Sequence, residues 1–235
     1  MRIMISVLNQ SWIHTKLVKS LLEIPAKYPK YKIEFFFSDL RPIDHNRNKI
    51  VDHFLETDNE ILFMIDSDII VGSNLLDMIK EGYDVVSAVT FTVSKGVPYP
   101  IIVKSVDNKS YSPMCDPDDK IELYTKVAGI GTGCIYVRRF IFDKIAKPYF
   151  RFEYAQDGHI TLGEDYYFSR KLRSAGIQPY VATKFIMGHI KEFDAAHFNQ
   201  LLYKALSFNK KGISKILSDQ LDPTSAKKME AKLKG

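Results

Sequence analysis

Two aspartates separated by one residue, Asp66 and Asp68, follow directly on the apolar run Ile61-Leu62-Phe63-Met64-Ile65. Side chains alternate along an extended chain, so carboxylates at i and i+2 turn to the same side if the strand continues past Ile65. Two anions at the end of a buried strand repel each other unless a cation neutralises them, and hard carboxylate oxygens suit magnesium or manganese. A metal held there would bridge onward to phosphate oxygens. Aspartate is also common at strand ends and in loops that enter helices, so a purely structural role stays open.

A second acidic pair, Glu164-Asp165, follows Gly163 at the start of a helical pattern that closes at Gly176. Unpaired N–H groups and the helix dipole stabilise acids at such a position, and capping alone accounts for them. The same surroundings favour the ionised form, so Asp165 is expected to be an unprotonated, weak base. His189, after Phe185-Ile186-Met187 and Gly188, offers either an imidazole to the same cation or a hydrogen bond inside a core. Gly131-Thr132-Gly133 either lets backbone approach a ligand closely or simply turns the chain into a strand.

The elements that must position these groups alternate along the first 90 residues. Strand-like Ile3–Leu8, helix-like His14–Ile24, strand-like Ile33–Phe37, helix-like Asn48–Leu55, strand-like Ile61–Ile65, helix-like Asn74–Lys80 and strand-like Val85–Val89 follow one another. Such a rhythm predicts a parallel α/β sheet with helical crossovers, and an uninterrupted apolar strand predicts burial on both faces. Ligands gather at the carboxyl ends of such strands, where Asp66 lies. Residues 91–126, with Pro98, Pro100, Pro113, Pro117 and the acidic cluster 116–119, read as loops with short antiparallel strands. A strand then leads into a helix-like Arg138–Ala146, and strand pieces at Val181 and 185–187 end at Gly188-His189.

With 235 residues, 46% of them hydrophobic and 26% charged, the chain can bury a sizeable core. Its N-terminal apolar run is too short for a signal peptide, and none of its apolar runs approaches the roughly 18–20 residues needed to cross a bilayer. The expectation is a soluble cytoplasmic protein. Cys115 and Cys134 have neither zinc-site spacing nor the number for a disulfide framework. A net charge of +5 is compatible with anionic ligands, whether nucleotide sugars, nucleic acids or acidic lipid surfaces. Beyond Phe193 the chain reads as a basic helical extension, 194–235, in which a solvated charged face is the plainest reading.

Taken together and in this order, the motifs resemble the GT-A-fold glycosyltransferases, in particular the large inverting family 2-like group with many bacterial and viral members. The resemblance covers residues 1–189. Asp66-Ser67-Asp68 matches the Asp-x-Asp motif, Gly131-Thr132-Gly133 a glycine turn beside the acceptor, Glu164-Asp165 the acidic pair that supplies the base, and Gly188-His189 the late histidine of the metal site. It implies a GT-A-type, Rossmann-like α/β fold: a mostly parallel central sheet flanked by helices, with a helical C-terminal extension. Residues 1–193 form the catalytic domain in this reading, 1–90 binding the nucleotide sugar and 91–193 the acceptor.

The resemblance further implies that Val7, Leu8, Asn9 and Gln10 line the nucleotide base, with Asp39 near base or ribose. Arg47 and Asn48 resemble the donor-side pair, and a forked arginine suits phosphate. Asp66 and Ser67 touch the donor, Asp68 and His189 hold Mn2+ or Mg2+ with Asp66 as a further ligand, and Asp165 beside Glu164 takes the acceptor's proton. The donor would be a UDP- or GDP-sugar and the acceptor a glycan, a glycoconjugate or a hydroxylated DNA base, with host cytoplasm as the setting if the chain is viral.

Rival classes fit less well. A haloacid dehalogenase-type phosphatase carries its Asp-x-Asp after the first strand, not the third. A dinucleotide-binding oxidoreductase needs a glycine fingerprint after its first strand, and a nucleotidyltransferase a glycine-rich basic loop; Asn9-Gln10-Ser11 provides neither. A non-catalytic binding module that uses the basic tail on nucleic acid is the alternative outside enzymology.

Overall fold

A computed structural model describes residues 1–9, 12–94, 97–105, 111–113 and 122–190. The chain opens with β1 (Arg2–Leu8), α1 (Thr15–Lys27), β2 (Lys32–Ser38), α2 (Ile43–Glu56) and β3 (Ile61–Asp66). Next come β4 (Ile69–Ile70), a 3-10 turn (Leu75–Met78) and β5 (Val85–Val89). Short strands follow as β6 (Phe91–Ser94), β7 (Val97–Pro100), β8 (Ile102–Ser105), β9 (Tyr111–Pro113), β10 (Tyr124–Lys126) and β11 (Gly129–Ile130). The last elements are β12 (Cys134–Arg138), α3 (Phe140–Asp143), β13 (Glu153–Tyr154), β14 (Ile160–Leu162), α4 (Glu164–Ser174), β15 (Tyr180–Ile186) and β16 (Gly188–His189).

The central sheet has seven strands in the order β10-β15-β5-β12-β3-β1-β2. β1 pairs in parallel with β2 and β3, and β5 with β15, while β12 runs antiparallel to both β3 and β5 and β10 antiparallel to β15. Five strands therefore point one way and deliver their carboxyl ends to one edge, which is the expected mostly parallel α/β sheet.

Strict alternation divides the core between the two faces. Along β1, Ile3, Ile5 and Val7 pack with Leu17, Leu21 and Ile24 of α1, whereas Met4 and Leu8 turn toward Ile50, Val51 and Phe54 of α2. β3 repeats the pattern, sending Phe63 and Ile65 to the α1 face and Leu62 and Met64 to the α2 face, where Phe168 and Leu172 of α4 also pack. Both faces are covered, so the strand reads as one apolar run. Burying each such side chain contributes about 1.5–3 kcal/mol. Parity also aims Asp66, next in the even-numbered series, at the face that carries α2 and α4.

Several boundaries differ from expectation. β3 ends at Asp66 and residues 67–68 form a turn, so strand alternation does not set the direction of Asp68. α2 starts at Ile43 after Pro42, whose ring favours a helix start, and this places Arg47 and Asn48 in the second turn and not at the opening. The Asn74–Lys80 segment makes only the short 3-10 turn, and Arg138 still belongs to β12, leaving α3 four residues. Gly176, by contrast, takes φ +73° just past α4, as a left-handed helix terminator should.

Met1–Val93 with Pro98–Ile190 makes one compact unit; a second comprises Ser94–Val97 with Lys191–Gly235. The extension at 194–235 and the acidic cluster at 116–119 lie outside the described residues. Among the described residues no helix is long and apolar enough to cross a membrane.

Candidate active site

Asp66 meets a buried cation. Arg47 lies on the stripe Arg47, Ile50, Val51, Phe54 that α2 turns to the sheet, and its side chain is 1% exposed. Its Nη2 donates to Asp66 Oδ1 at 3.0 Å and Oδ2 at 3.3 Å, Nε to Glu164 Oε1 at 3.4 Å, and Nη1 to the Thr132 carbonyl at 3.3 Å. The Phe150 ring lies 5.9 Å from the guanidinium carbon. These contacts engage Arg47, expected on the donor side, with the chain's own acids. Burial pushes the Asp66 carboxyl up, while the guanidinium pulls it back down.

Carboxylates outnumber that cation. Asp66, Glu164 and Asp165 all act on Arg47, so three acids bear on one guanidinium, and Asp66 also feels a fourth, Asp68. Asp68 faces His189, with Oδ2 3.1 Å from Nε2, and β16 is held beside β4 by pairing of Gly188 with Ile70 and His189 with Ile69. The Ile190 amide donates to the Asp68 carbonyl at 2.8 Å, closing the same corner. His189 Nδ1 lies 2.5 Å from the Phe91 carbonyl. An imidazole that donates there from Nδ1 turns the Nε2 lone pair to the Asp68 carboxylate, the arrangement that orients a metal-binding histidine.

This donor set suits a hard divalent ion. Among the described residues no group of three or more His, Cys, Asp and Glu side chains encloses a metal position. Asp68 and His189 would hold an ion from one side only, which matches the habit of magnesium and manganese of completing their shell with water and substrate phosphate.

Across Arg47, α4 begins with the second acidic pair. Asp165 Oδ1 accepts from the Tyr166 amide at 2.7 Å. Burial, reinforced by the neighbouring Glu164 charge, raises the Asp165 carboxyl to about 7, against the pull of the helix amide and Arg47. The expected helix-terminal stabilisation of the ionised form is outweighed. The result is a stronger base that holds its proton near neutrality. Gly163 has an ordinary φ of −71°, but a Cβ there would stand 2.8 Å from Asp165 Oδ1. Its missing side chain gives the carboxylate room.

The glycine turn serves packing. A Cβ on Gly131 would meet Ile101 at 2.9 Å and Thr90 at 3.3 Å, and one on Gly133 would meet Ile69 at 3.4 Å. The carbonyls of Gly131, Thr132 and Gly133 accept from Ser87 Oγ, Arg47 and the Asp66 amide respectively. Asn48 is equally engaged, donating to the Asp44 and Phe150 carbonyls and accepting from the Tyr149 and Phe150 amides. It ties α2 to the 149–150 segment.

At the carboxyl ends of β1 and β2, Val7 is wholly buried, so only its main chain is available to a base. Leu8 is 4% exposed and its carbonyl accepts from the Ser67 amide. Asn9 is partly exposed and its amide donates to the Ser38 carbonyl, and Asp39 is exposed just past β2. The Ser67 carbonyl accepts from the His14 amide, which braces the β1 loop on the acidic turn. Gln10 lies outside the described residues.

Three contributors carry little sequence signal. Ser169 donates to the Asp165 carbonyl at 2.8 Å and accepts from the Ile130 amide at 3.1 Å, docking α4 on β11. The Phe91 carbonyl orients His189, and the side-chain amide of buried Asn46 pins the end of β2 through the Ser38 carbonyl. Backbone carbonyls and a helical serine look alike in any sequence.

No family model matches the chain, and no curated protein matches it. Among solved structures, A197 from STIV is similar at TM-score 0.56 and 19% identity over 82% of this chain and 87% of that one. Also found, at TM-score 0.32 and 14% identity, is a glycosyltransferase involved in glycosylation of the major capsid of PBCV-1, covering 58% of this chain and 59% of that one. A 4-diphosphocytidyl-2C-methyl-D-erythritol synthase from Anaerococcus prevotii DSM 20548 is found at TM-score 0.45 and 10% identity, covering 85% of this chain and 96% of that one. The fold shared with A197 is mixed α/β, with a mostly parallel seven-stranded central sheet flanked by helices, consistent with a Rossmann-like GT-A fold. The central sheet sets Asp66 at the end of β3, with Asp68 and His189 beyond it and α4 beginning at the acids across Arg47.

Proposed function

We propose that this chain is a metal-dependent glycosyltransferase that moves a sugar from a nucleoside-diphosphate donor to an acceptor hydroxyl with inversion. The observation that carries the reading is the pairing, on one sheet edge, of a one-sided hard-cation site at Asp68 and His189 with a buried acid, Asp165, poised near neutrality. Magnesium or manganese, when bound, would supply positive charge against the negative charge that develops on the diphosphate leaving group. Asp68 and His189 would hold the ion, with Asp66 nearby. Main chain at Val7 and Asn9, with exposed Asp39, forms the edge available to the nucleoside of a UDP- or GDP-sugar.

Asp165 accepts the acceptor hydroxyl's proton on its carboxylate as that oxygen attacks the anomeric carbon. The bond to the diphosphate oxygen breaks as the new glycosidic bond forms, in a single displacement that reverses the anomeric configuration. A base matched to neutral pH is the efficient choice for this transfer.

The test is a panel of UDP- and GDP-sugars with manganese, magnesium or EDTA, read by thermal stabilisation and by NMR of donor hydrolysis. Metal-dependent stabilisation by at least one donor, with slow release of the inverted sugar, is the expected result. Stabilisation by none of them under any metal condition refutes the reading.

A further inference from the structure

The guanidinium of Arg47 joins four parts of the chain that are far apart in sequence. It is rooted in α2, and three different nitrogens reach the end of β3 at Asp66, the start of α4 at Glu164 and the β11–β12 turn at Thr132. Its burial leaves no face for an outside anion, since Phe150 lies to one side and the acids take the fork. Turning the fork to a phosphate would strip two shielded carboxylates of their counter-charge. A lysine ammonium is a point charge and cannot reproduce a planar fork with separate donors.

We propose that Arg47 is a positioning residue that couples the acid on the cation side, Asp66, to the acid on the base side, Glu164, and so fixes the spacing between donor and acceptor halves. The assignment rests on the transferase reading above. Arg47 touches no substrate and acts through the two carboxylates. Its loss therefore affects the reacting geometry more than the affinity for donor, because small misplacements of reacting groups cost rate.

The test compares Arg47→Lys and Arg47→Met with the unsubstituted protein by calorimetric titration of UDP and GDP in manganese and by donor turnover at saturation. The expected result is nucleoside-diphosphate affinity within about threefold of the parent and a fall in turnover of about thirtyfold or more. Adding Glu164→Gln to Arg47→Lys should lower turnover little further, since both release one strut. A role confined to stability moves the melting temperature without this split or this non-additivity.

A tenfold or greater loss of affinity with turnover unchanged makes Arg47 a phosphate ligand and overturns the proposal, as does turnover within twofold of the parent. Should neither Arg47 variant fold, Glu164→Gln releases one end of the strut and is read by the same split. Absence of both binding and turnover in the unsubstituted protein removes the transferase reading and this assignment with it. Parent-like behaviour of the Arg47 variants removes this assignment alone.

Discussion

His189 and Asp68 face each other at 3.1 Å, Nε2 to Oδ2, while the other ring nitrogen is committed to the Phe91 carbonyl. With Nδ1 held by that carbonyl, Nε2 is directed at the Asp68 carboxylate. The two groups present adjacent nitrogen and oxygen atoms that a divalent cation could take as ligands in place of their mutual contact. His189→Ala and Asp68→Ala should each weaken manganese binding by about 10–100-fold, measured by calorimetry without donor. Unchanged manganese affinity in both variants would remove this pair as the metal site.

Asp165 carries the pH dependence. Its carboxyl, raised to about 7 by burial and by Glu164, acts as a base only when ionised. Turnover at saturating donor should therefore rise with pH through about 7 and level off above it. Asp165→Asn should abolish this limb and lower turnover by about 10²–10⁴-fold, with nucleoside-diphosphate affinity retained. A flat profile in the parent would dismiss Asp165 as the base.

The same group sets a stability slope. A folded-state value above the ordinary carboxyl value of about 4 means that the native chain keeps this proton where the unfolded chain has lost it. Stability is thus greatest below about pH 4 for this group, and its share is lost as pH rises to about 7. A neutral amide in place of the carboxyl carries no such penalty, so Asp165→Asn should melt higher than the parent at pH 8 by about 2–4 °C, corresponding to about 1 kcal/mol. The two melting curves should converge toward pH 4. Calorimetric scans at both pH values check the sign.

Gly163→Ala separates folding from chemistry. The backbone at φ −71° accepts any residue, yet the added methyl would fall 2.8 Å from Asp165 Oδ1. The carboxylate must move. Stability should change by less than about 1 kcal/mol, while turnover falls by about tenfold or more. Urea unfolding and donor hydrolysis on the same preparation distinguish the two effects.

Ser169→Ala should show the opposite balance of costs. It leaves the buried Ile130 amide without its hydroxyl acceptor, a loss of about 1–3 kcal/mol. Turnover should fall too, since the first turn of α4 loses its tie to β11. Retention of parental stability in urea would show that another acceptor takes the amide.

Much of this was legible from residue types and spacing. The even positions Leu62, Met64 and Asp66 share one face of β3, so strand parity points the first acid toward α2. The stripe Arg47, Ile50, Val51, Phe54 has the i, i+3, i+4, i+7 spacing of a buried helical face, a signal that a buried cation needs buried anions. The helix start at Ile43, four residues before Arg47, carries little sequence signal beyond Pro42. The value for Asp165 was not legible, because burial and helix-terminal stabilisation act in opposite directions and only packing density decides between them. The packing role of Gly131 was not legible for a related reason: an absent Cβ looks the same whether a ligand or Ile101 lies beside it.

The place of β12 between β3 and β5 has an evolutionary consequence. The chain leaves β5 after Val89, adds β10 to the sheet beside β15 at Tyr124–Lys126, and returns as β12 at Cys134 on the strand adjoining β5, where Ile135 stands opposite Ser87. The two ends of that excursion are neighbours, and the entropy of closing a loop between fixed ends grows only slowly with its length. The parts of that excursion outside β10 and the 131–133 turn can thus change in length at little cost to the sheet. A lineage could alter them by insertion or deletion while the carboxylates that contact Arg47 stay in place.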